Sequence, residues 1–202
     1  MKKLQNFQVL DYLIEQCKKP TGIVGNIMIA IWNKTFIDMA KWGLSHTTIS
    51  KHDRVLEIGC GGGAFINYLA KEKQATDITG IDVSEKSIEK AKHLNKLFLE
   101  KYHLSFSCQA AENLNSNGKK FNKIFAIQTH MYWTDFEKAI KNVNQLMLTD
   151  GEFHIICEKD KISYHLPEYA EAKAMVSLLK KLGFKNVTIY ERQNWIHYKC
   201  LK

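Results

Sequence analysis

Arginine is nearly missing from this chain. Arg54 and Arg192 are the only two among 29 basic residues, which stand against 21 acidic ones for a net charge of +8 in 202 residues. Nucleic-acid interfaces lean on the arginine fork for bidentate contacts. The lysines here are scattered, with no run longer than a Lys-Lys pair, so the surplus reads as a solvated surface with a weak pull on anions, and nucleic acid is disfavoured as a partner. Proline is scarce too, with 2 residues against 11 glycines, which excludes collagen-like and linker-like compositions. No window has the low hydrophobicity and high charge of a disordered chain. Long apolar runs are absent. The longest uncharged stretch, Pro20 to Asn33, has 14 residues, short of the roughly 17–25 that a membrane-spanning helix needs. The opening MKKLQNFQVLDYLIEQCKK breaks its apolar run at Asp11 and does not read as a leader peptide, so a cytoplasmic location is expected. The five cysteines (Cys17, Cys60, Cys108, Cys157 and Cys200) are odd in number, far apart and lack a Cys-x-x-Cys pair, so neither a disulfide framework nor a metal site is implied.

What remains is an ordinary globular composition, 45% hydrophobic and 25% charged, at a length that suits one domain with a full core. Residues 53–59 (DRVLEIG) read as a strand buried on both faces, followed by CGGGAF and a helical pattern in INYLAKEK. Strands are expected at 76–82, 104–109, 121–128 and 152–158. Helices are expected at 85–101, behind the N-cap Ser84, and at 134–148, where Phe136, Ala139, Ile140, Val143, Leu146 and Met147 keep helical spacing. Asp150-Gly151 is expected to turn the chain into the fifth strand. A helix over 168–182 should end at Gly183, and strands at 184–192 and 195–201 should close the chain. Strands alternating with helices imply a doubly wound α/β sheet. The last two strands have no room for a crossover, so they must form an antiparallel hairpin. The expected organisation is a helical extension over 1–50 and one Rossmann-like unit over 51–202.

The chemistry concentrates in Val55-Leu56-Glu57-Ile58-Gly59-Cys60-Gly61-Gly62-Gly63. Glycines between a strand and a helix let the backbone take positive φ or touch a ligand, at the carboxyl edge where doubly wound sheets bind nucleotide-like molecules. Asp82 ends the second strand and can accept two ribose hydroxyls. The glycines and Ala64 formally fit the dinucleotide fingerprint, so an NAD(P)-dependent oxidoreductase is one reading. Glu57 opposes it, because a dinucleotide would set its anionic pyrophosphate at this turn. The ammonium and sulfonium of S-adenosylmethionine suit a carboxylate there.

At this point the sequence resembles the class I S-adenosylmethionine-dependent methyltransferases, and in particular a small-molecule-type bacterial subgroup. V-L-E-I-G-C-G-G-G resembles their first motif and G-I-D-V-S-x-x-S-I-x-x-A their second-strand motif. A-A-E-N-L resembles the segment after their third strand, and L-T-D-G-E-F the turn before their fifth. T-G-x-x-G-x-x-M, N-K and W-G-L-S-H carry the resemblance to the subgroup. The resemblance implies a seven-stranded sheet of order 3-2-1-4-5-7-6 with only the last strand antiparallel, preceded by N-terminal helices. It implies S-adenosylmethionine as cofactor, S-adenosylhomocysteine as product and a small-molecule acceptor. Glu57 would orient the glycine loop and the methionine ammonium. Gly59 and Gly61 would bring backbone against the methionine part, and Ile58, Cys60 and Gly63 would also line the cofactor, Cys60 as small packing. Asp82 would hold the ribose and Val83 would pack on adenine. Ala111 and Glu112 would lie at the adenine edge, Glu112 reading equally well as a solvated loop residue. Ile127 and Gln128 would line the sulfonium side, with Trp133 as a cover. Ala110 and Asn122 depart from the aspartates common at those positions.

His130 follows the fourth strand and has a titration range suited to a general base. Base, ligand contact and bystander all remain open for it. Positions Val24, Met28, Ile31, Trp32, Phe36, Met39 and Trp42 give 22–44 an amphipathic helical pattern, which fits a lid over the site, a packed helix or a membrane-surface anchor. The expected activity is methyl transfer to a small molecule by proximity and orientation, with a noncatalytic S-adenosylmethionine-binding subunit as the rival reading beside the oxidoreductase.

Overall fold

The computed structural model describes residues 27–29, 31, 34, 36–73 and 75–202. The motif at 21–25, Cys17, Val24 and Trp32 lie outside the described residues. In chain order, the elements are α1 (Ile37–Leu44), β1 (Arg54–Ile58), α2 (Ala64–Glu72), β2 (Asp77–Asp82), α3 (Glu85–Leu94), α4 (Lys96–Leu99), β3 (His103–Cys108), β4 (Phe121–Ile127), α5 (Phe136–Leu146), β5 (Met147–Glu158), α6 (Lys159–His165), α7 (Ala172–Lys181), β6 (Asn186–Arg192) and β7 (Trp195–Leu201). The sheet order is β3-β2-β1-β4-β5-β7-β6. β7 alone runs antiparallel to its neighbours, pairing Glu158 with Trp195 on β5 and Arg192 with Trp195 on β6.

The continuous apolar strands make sense once both faces are followed, because successive side chains point to opposite sides. On β4, Ile124 and Ala126 enter one core with the α5 and α7 side chains, while Phe125 and Ile127 enter a second core with α1, α2 and α3. On β5, Phe153, Ile155 and Cys157 face the first core and Ile156 the second. α1 belongs to this second core through Met39, Ala40 and Leu44. Gly43 lies so close to β5 that an added Cβ would sit 2.2 Å from Ile156 Cδ1.

Local chemistry sets the helix ends. Asp135 caps α5 by accepting from Lys138 N at 3.0 Å, and Ser84 caps α3 by accepting from Ser87 N at 3.3 Å. The single helix expected over 85–101 is broken at Asn95. Its Nδ2 donates to Ala91 O at 2.9 Å and Gly63 O at 3.1 Å, which closes α3 and ties it to the glycine loop. The expected start at 168 also moves. Pro167 opens a short 3-10 turn to Tyr169, and α7 begins at Ala172. The connection between β5 and that turn carries α6. The turn expected at Asp150-Gly151 lies inside β5. The partners step from Phe121–Met147 to Lys123–Glu152, so the extra residues bulge out of a continuing strand.

Candidate active site

The glycine turn leaves β1 at the carboxyl edge of the sheet. Gly59 N and Cys60 N both donate to Ile81 O, at 2.8 and 2.9 Å, which fastens the turn to β2. Gly61 has φ +51, and nothing lies within 4 Å of where its Cβ would stand. This backbone faces open space and is available for a close-lying ligand. Gly63, also at positive φ, does something else. A Cβ there would meet Asn95 Nδ2 at 2.7 Å and Ala91 Cβ at 2.9 Å. Gly63 lets α2 and α3 approach, and it does not line the cleft, which corrects its expected place on the ligand wall.

The cleft has a volume of about 670 Å³, within the roughly 300–1,000 Å³ typical of small-ligand sites. Its walls include Glu57, Ile58, Gly59, Cys60, Gly61, Asp82, Val83, Ala111, Glu112, Ile127, Gln128 and Trp133. The expected cofactor residues other than Gly63 are therefore brought together by the ends of β1, β2, β4 and the turn after β3. Val83 is 42% exposed, a large apolar side chain left open on this wall.

Two carboxyl groups dominate the electrostatics. Glu57 is buried, and its Oε2 has no hydrogen-bond partner. Burial and then the neighbouring Asp82 push its carboxyl well above the usual range. Asp82 accepts Gly61 N through Oδ2 and Ser84 N through Oδ1, each at 2.9 Å. Burial raises its carboxyl, opposed by these backbone bonds. The Cys60 thiol is pushed well up by burial, with Glu57 and Asp82 adding to the effect. It is thus a neutral packing group rather than a thiolate nucleophile.

Glu112 lines the cleft, but its Oε1 is occupied. It accepts from the Thr134 backbone, from Thr134 Oγ1 at 3.0 Å and from Asp135 N at 3.2 Å. Burial alone would raise this carboxyl, but the bonds outweigh burial and lower it. Its visible task is to pin the Trp133–Asp135 corner. His130 stands apart from the cleft lining. It is fully buried behind Trp133 and Phe136, with Nε2 3.9 Å from Cys157 Sγ and Nδ1 unpartnered. Burial lowers its pKa to about 3. The ring is neutral and shut off from the cleft, so the geometry gives no support to a general-base role.

Several lining residues, Phe36 apart, were not singled out from sequence. Glu158, at the end of β5, faces the cleft with Lys161 of α6, and Phe36, Ile37 and Ala40 close it from the α1 side. The Glu158 pairing with Gln128 spans 30 residues, and no local pattern announces it. The α1 wall was legible only as an amphipathic stripe.

The model of a family described as a methyltransferase domain matches residues 49–195. YrhH of Bacillus subtilis, which carries a methyltransferase name, is 25% identical over 157 residues, covering 76% of this chain and 81% of that protein. A ubiquinone biosynthesis O-methyltransferase of Coxiella burnetii is 28% identical over 131 residues, 65% of this chain. The match spans about half, 54%, of that relative's length. Among solved structures, the N-methyltransferase NodS of Bradyrhizobium japonicum, in complex with S-adenosylhomocysteine, superposes with a TM-score of 0.61. It has 20% identity, with 84% of this chain and 86% of that one covered.

Proposed function

This chain belongs to the class I S-adenosylmethionine-dependent methyltransferases, and from that premise we propose that it moves the methyl group to a small-molecule acceptor. The carrying observation is the buried, unpartnered Glu57 Oε2 beside Asp82 under an open glycine turn. Two carboxyl groups without a neighbouring cation among the described residues form an unfinished arrangement that a cationic ligand completes and an anionic dinucleotide would worsen. Among the described residues, Lys161 is the only lysine or arginine lining the cleft, although the chain carries a net +8.

On this reading Glu57 takes the methionine ammonium, and Gly59 and Gly61 admit the methionine backbone. Asp82 accepts the ribose hydroxyls, Val83 packs on adenine beside Ala111, and Ile127 and Gln128 lie toward the sulfonium. S-adenosylmethionine supplies a methyl on a sulfonium, a leaving group good enough that an aligned lone pair suffices. The protein's contribution is orientation, worth roughly 7–11 kcal/mol when geometry is right. Exclusion of water adds to this, through Phe36, Ile37 and Ala40 on one side and Trp133 on the other. Residues 1–50 would thus serve the acceptor side and 51–202 the cofactor side. The cleft volume and the compact 159–165 helix, which leaves no inserted substrate domain between β5 and α7, favour a small acceptor.

Incubation with methyl-labelled S-adenosylmethionine and a cell extract, followed by separation by size, tests the acceptor class. Label in the small-molecule fraction is expected. Label confined to protein or RNA would overturn the small-acceptor reading while leaving the enzyme class intact.

A further inference from the structure

The cofactor reading uses Glu57 and Asp82, Glu112 pins the Trp133–Asp135 corner, and one carboxylate in the cleft is left without a task. Glu158 stands at the last position of β5 and faces the same cavity. It is held from one direction. Gln128 Nε2 donates to Glu158 Oε2 at 2.7 Å, and Glu158 N donates to Gln128 Oε1 at 2.9 Å. Gln128 itself takes φ +53, a left-handed conformation that non-glycine residues seldom adopt. Its backbone N–H still reaches Ile156 O at 2.8 Å. The side-chain amide thus continues the β4–β5 ladder one step beyond the end of β4 and aims a carboxylate where the strand would have stopped. Strain of this kind persists where surrounding structure enforces it, and it clusters at ligand sites.

The neighbouring charges are engaged elsewhere. Lys159 Nζ pairs with Glu191 at 3.0 Å, and Asp160 accepts from Asn194 Nδ2 at 3.0 Å. Among the described residues, no hydrogen bond is found on Glu158 Oε1. The same cleft is lined by Ile37 and Ala40 of α1, by Tyr132 and Trp133 after β4, and by Lys161 of α6. A carboxylate oxygen free to accept, fixed by its neighbour in a largely apolar cleft, selects for a ligand that donates a hydrogen bond and against a second anion.

We propose that Glu158, positioned by Gln128, is the specificity-determining group of the acceptor site, and that the acceptor is a small apolar molecule bearing an N–H or O–H donor rather than a carboxylate. The inference rests on the methyltransferase reading of the cleft. Lys161 lies exposed at the rim and lacks the fixed placement of Glu158, so the discrimination is assigned to the carboxylate.

The test uses the full chain loaded with S-adenosylhomocysteine and three ligands on one phenyl-ethyl skeleton: phenethylamine, 4-ethylphenol and 3-phenylpropanoate. Saturation-transfer NMR titrations read their affinities. The amine or the phenol is expected to bind the wild type at least tenfold better than the carboxylate, and the one that leads identifies the donor. Glu158→Gln should weaken that donor tenfold or more while S-adenosylhomocysteine affinity stays within about twofold, which also reports an intact fold. Glu158→Lys should turn the preference toward 3-phenylpropanoate, a reversal that a merely structural role would not produce. Preferred binding of the carboxylate to the wild type, failure of all three to bind at millimolar concentration, or unchanged preferences in both variants would overturn the proposal. Failure of S-adenosylhomocysteine itself to bind the wild type would instead bring down the cofactor reading, and the proposal with it.

Discussion

Buried or half-buried acidic residues stand at both ends of the strands, and the two ends treat them in opposite ways. At the carboxyl edge, Glu57 has an unpartnered oxygen and a raised carboxyl, and Asp82 beside it is raised as well. At the opposite edge, Glu152 is surrounded by donors. Lys123 Nζ and Lys199 Nζ each lie 2.9 Å away, His154 Nε2 lies at 3.2 Å, and Thr47 Oγ1 donates as well. Burial alone would raise Glu152, but bonds from His154, Lys123, Thr47 and Lys199 hold it well below the usual carboxylate range. On the proposed reading, the difference separates a binding site from a structural one. A carboxylate completed by its own chain stabilises the fold, whereas one left incomplete in a cleft awaits a ligand.

The structural edge also organises histidines. Glu152 can only accept, so His154 Nε2 donates to it, and His154 Nδ1 accepts from His197 Nε2 at 2.9 Å. His197 Nδ1 in turn accepts from His46 Nδ1 at 3.0 Å, just past α1. Each ring is neutral in this chain. Burial lowers His154 to about 4 and His197 to about 2, with the nearby positive charges assisting, and burial lowers His130 to about 3.

The largest expected effect follows from these rings. Their folded pKa values lie below the unfolded 6.5. On acidification the unfolded chain therefore binds protons first, and stability falls as pH drops below 6.5. Each ring contributes roughly 1.4 kcal/mol per pH unit, so the three together cost roughly 4 kcal/mol between pH 7.5 and 5.5. The raised Glu57 and Asp82 work in the other direction, gaining protons in the folded state before the unfolded one, so the histidine effect is read in Glu57→Gln/Asp82→Asn, where both are removed. Melting curves of that variant from pH 7.5 to 5.5 should fall by roughly 10 °C. A melting temperature of that variant that is flat or rising over the same range would show that the histidines are not neutral in the fold.

Next in size, Glu152→Gln leaves two lysines without their shared partner. A loss on the order of 3 kcal/mol is expected, with S-adenosylhomocysteine affinity nearly unchanged. Denaturant unfolding and calorimetry on the same sample read both. A variant of wild-type stability that loses ligand would erase the distinction between the edges. Asp82→Ala should do the converse, weakening the cofactor by 1.5–3 kcal/mol, about 10- to 100-fold, with the melting temperature of the free protein held. The smallest effect is on the stability of Glu57→Gln. Removing a buried, unpaired carboxyl group should leave the free protein as stable as wild type or more stable by about 1 kcal/mol, and thermal melting without ligand checks this.

Much of the carboxyl edge was legible from sequence because its signals are local. The Gly59–Gly63 turn, Glu57 two residues before it, and Asp82 at the end of β2 follow from short-range spacing. The closing hairpin follows from the short link at Gln193-Asn194. The opposite edge was not legible, because its pairs join residues far apart: His154 with His197, His46 with His197, Thr47 with Glu152. The same holds for Glu158 with Gln128. Local reading also could not assign two residues whose tertiary surroundings decide their role. Gly63 packs α2 on α3, and His130 is buried away from the cleft. α1 packs on β5 through Gly43 and lines the cleft through Ala40.

The most direct test of the central claim, that the incomplete acidic edge is a cationic-cofactor site, is calorimetric titration of S-adenosylmethionine, with NADH in parallel, into the wild type and Glu57→Gln. The account predicts saturable S-adenosylmethionine binding to the wild type, affinity at least tenfold weaker in Glu57→Gln, and no heat from NADH with either protein. NADH binding without S-adenosylmethionine binding, or equal S-adenosylmethionine affinity in the two proteins, would contradict it.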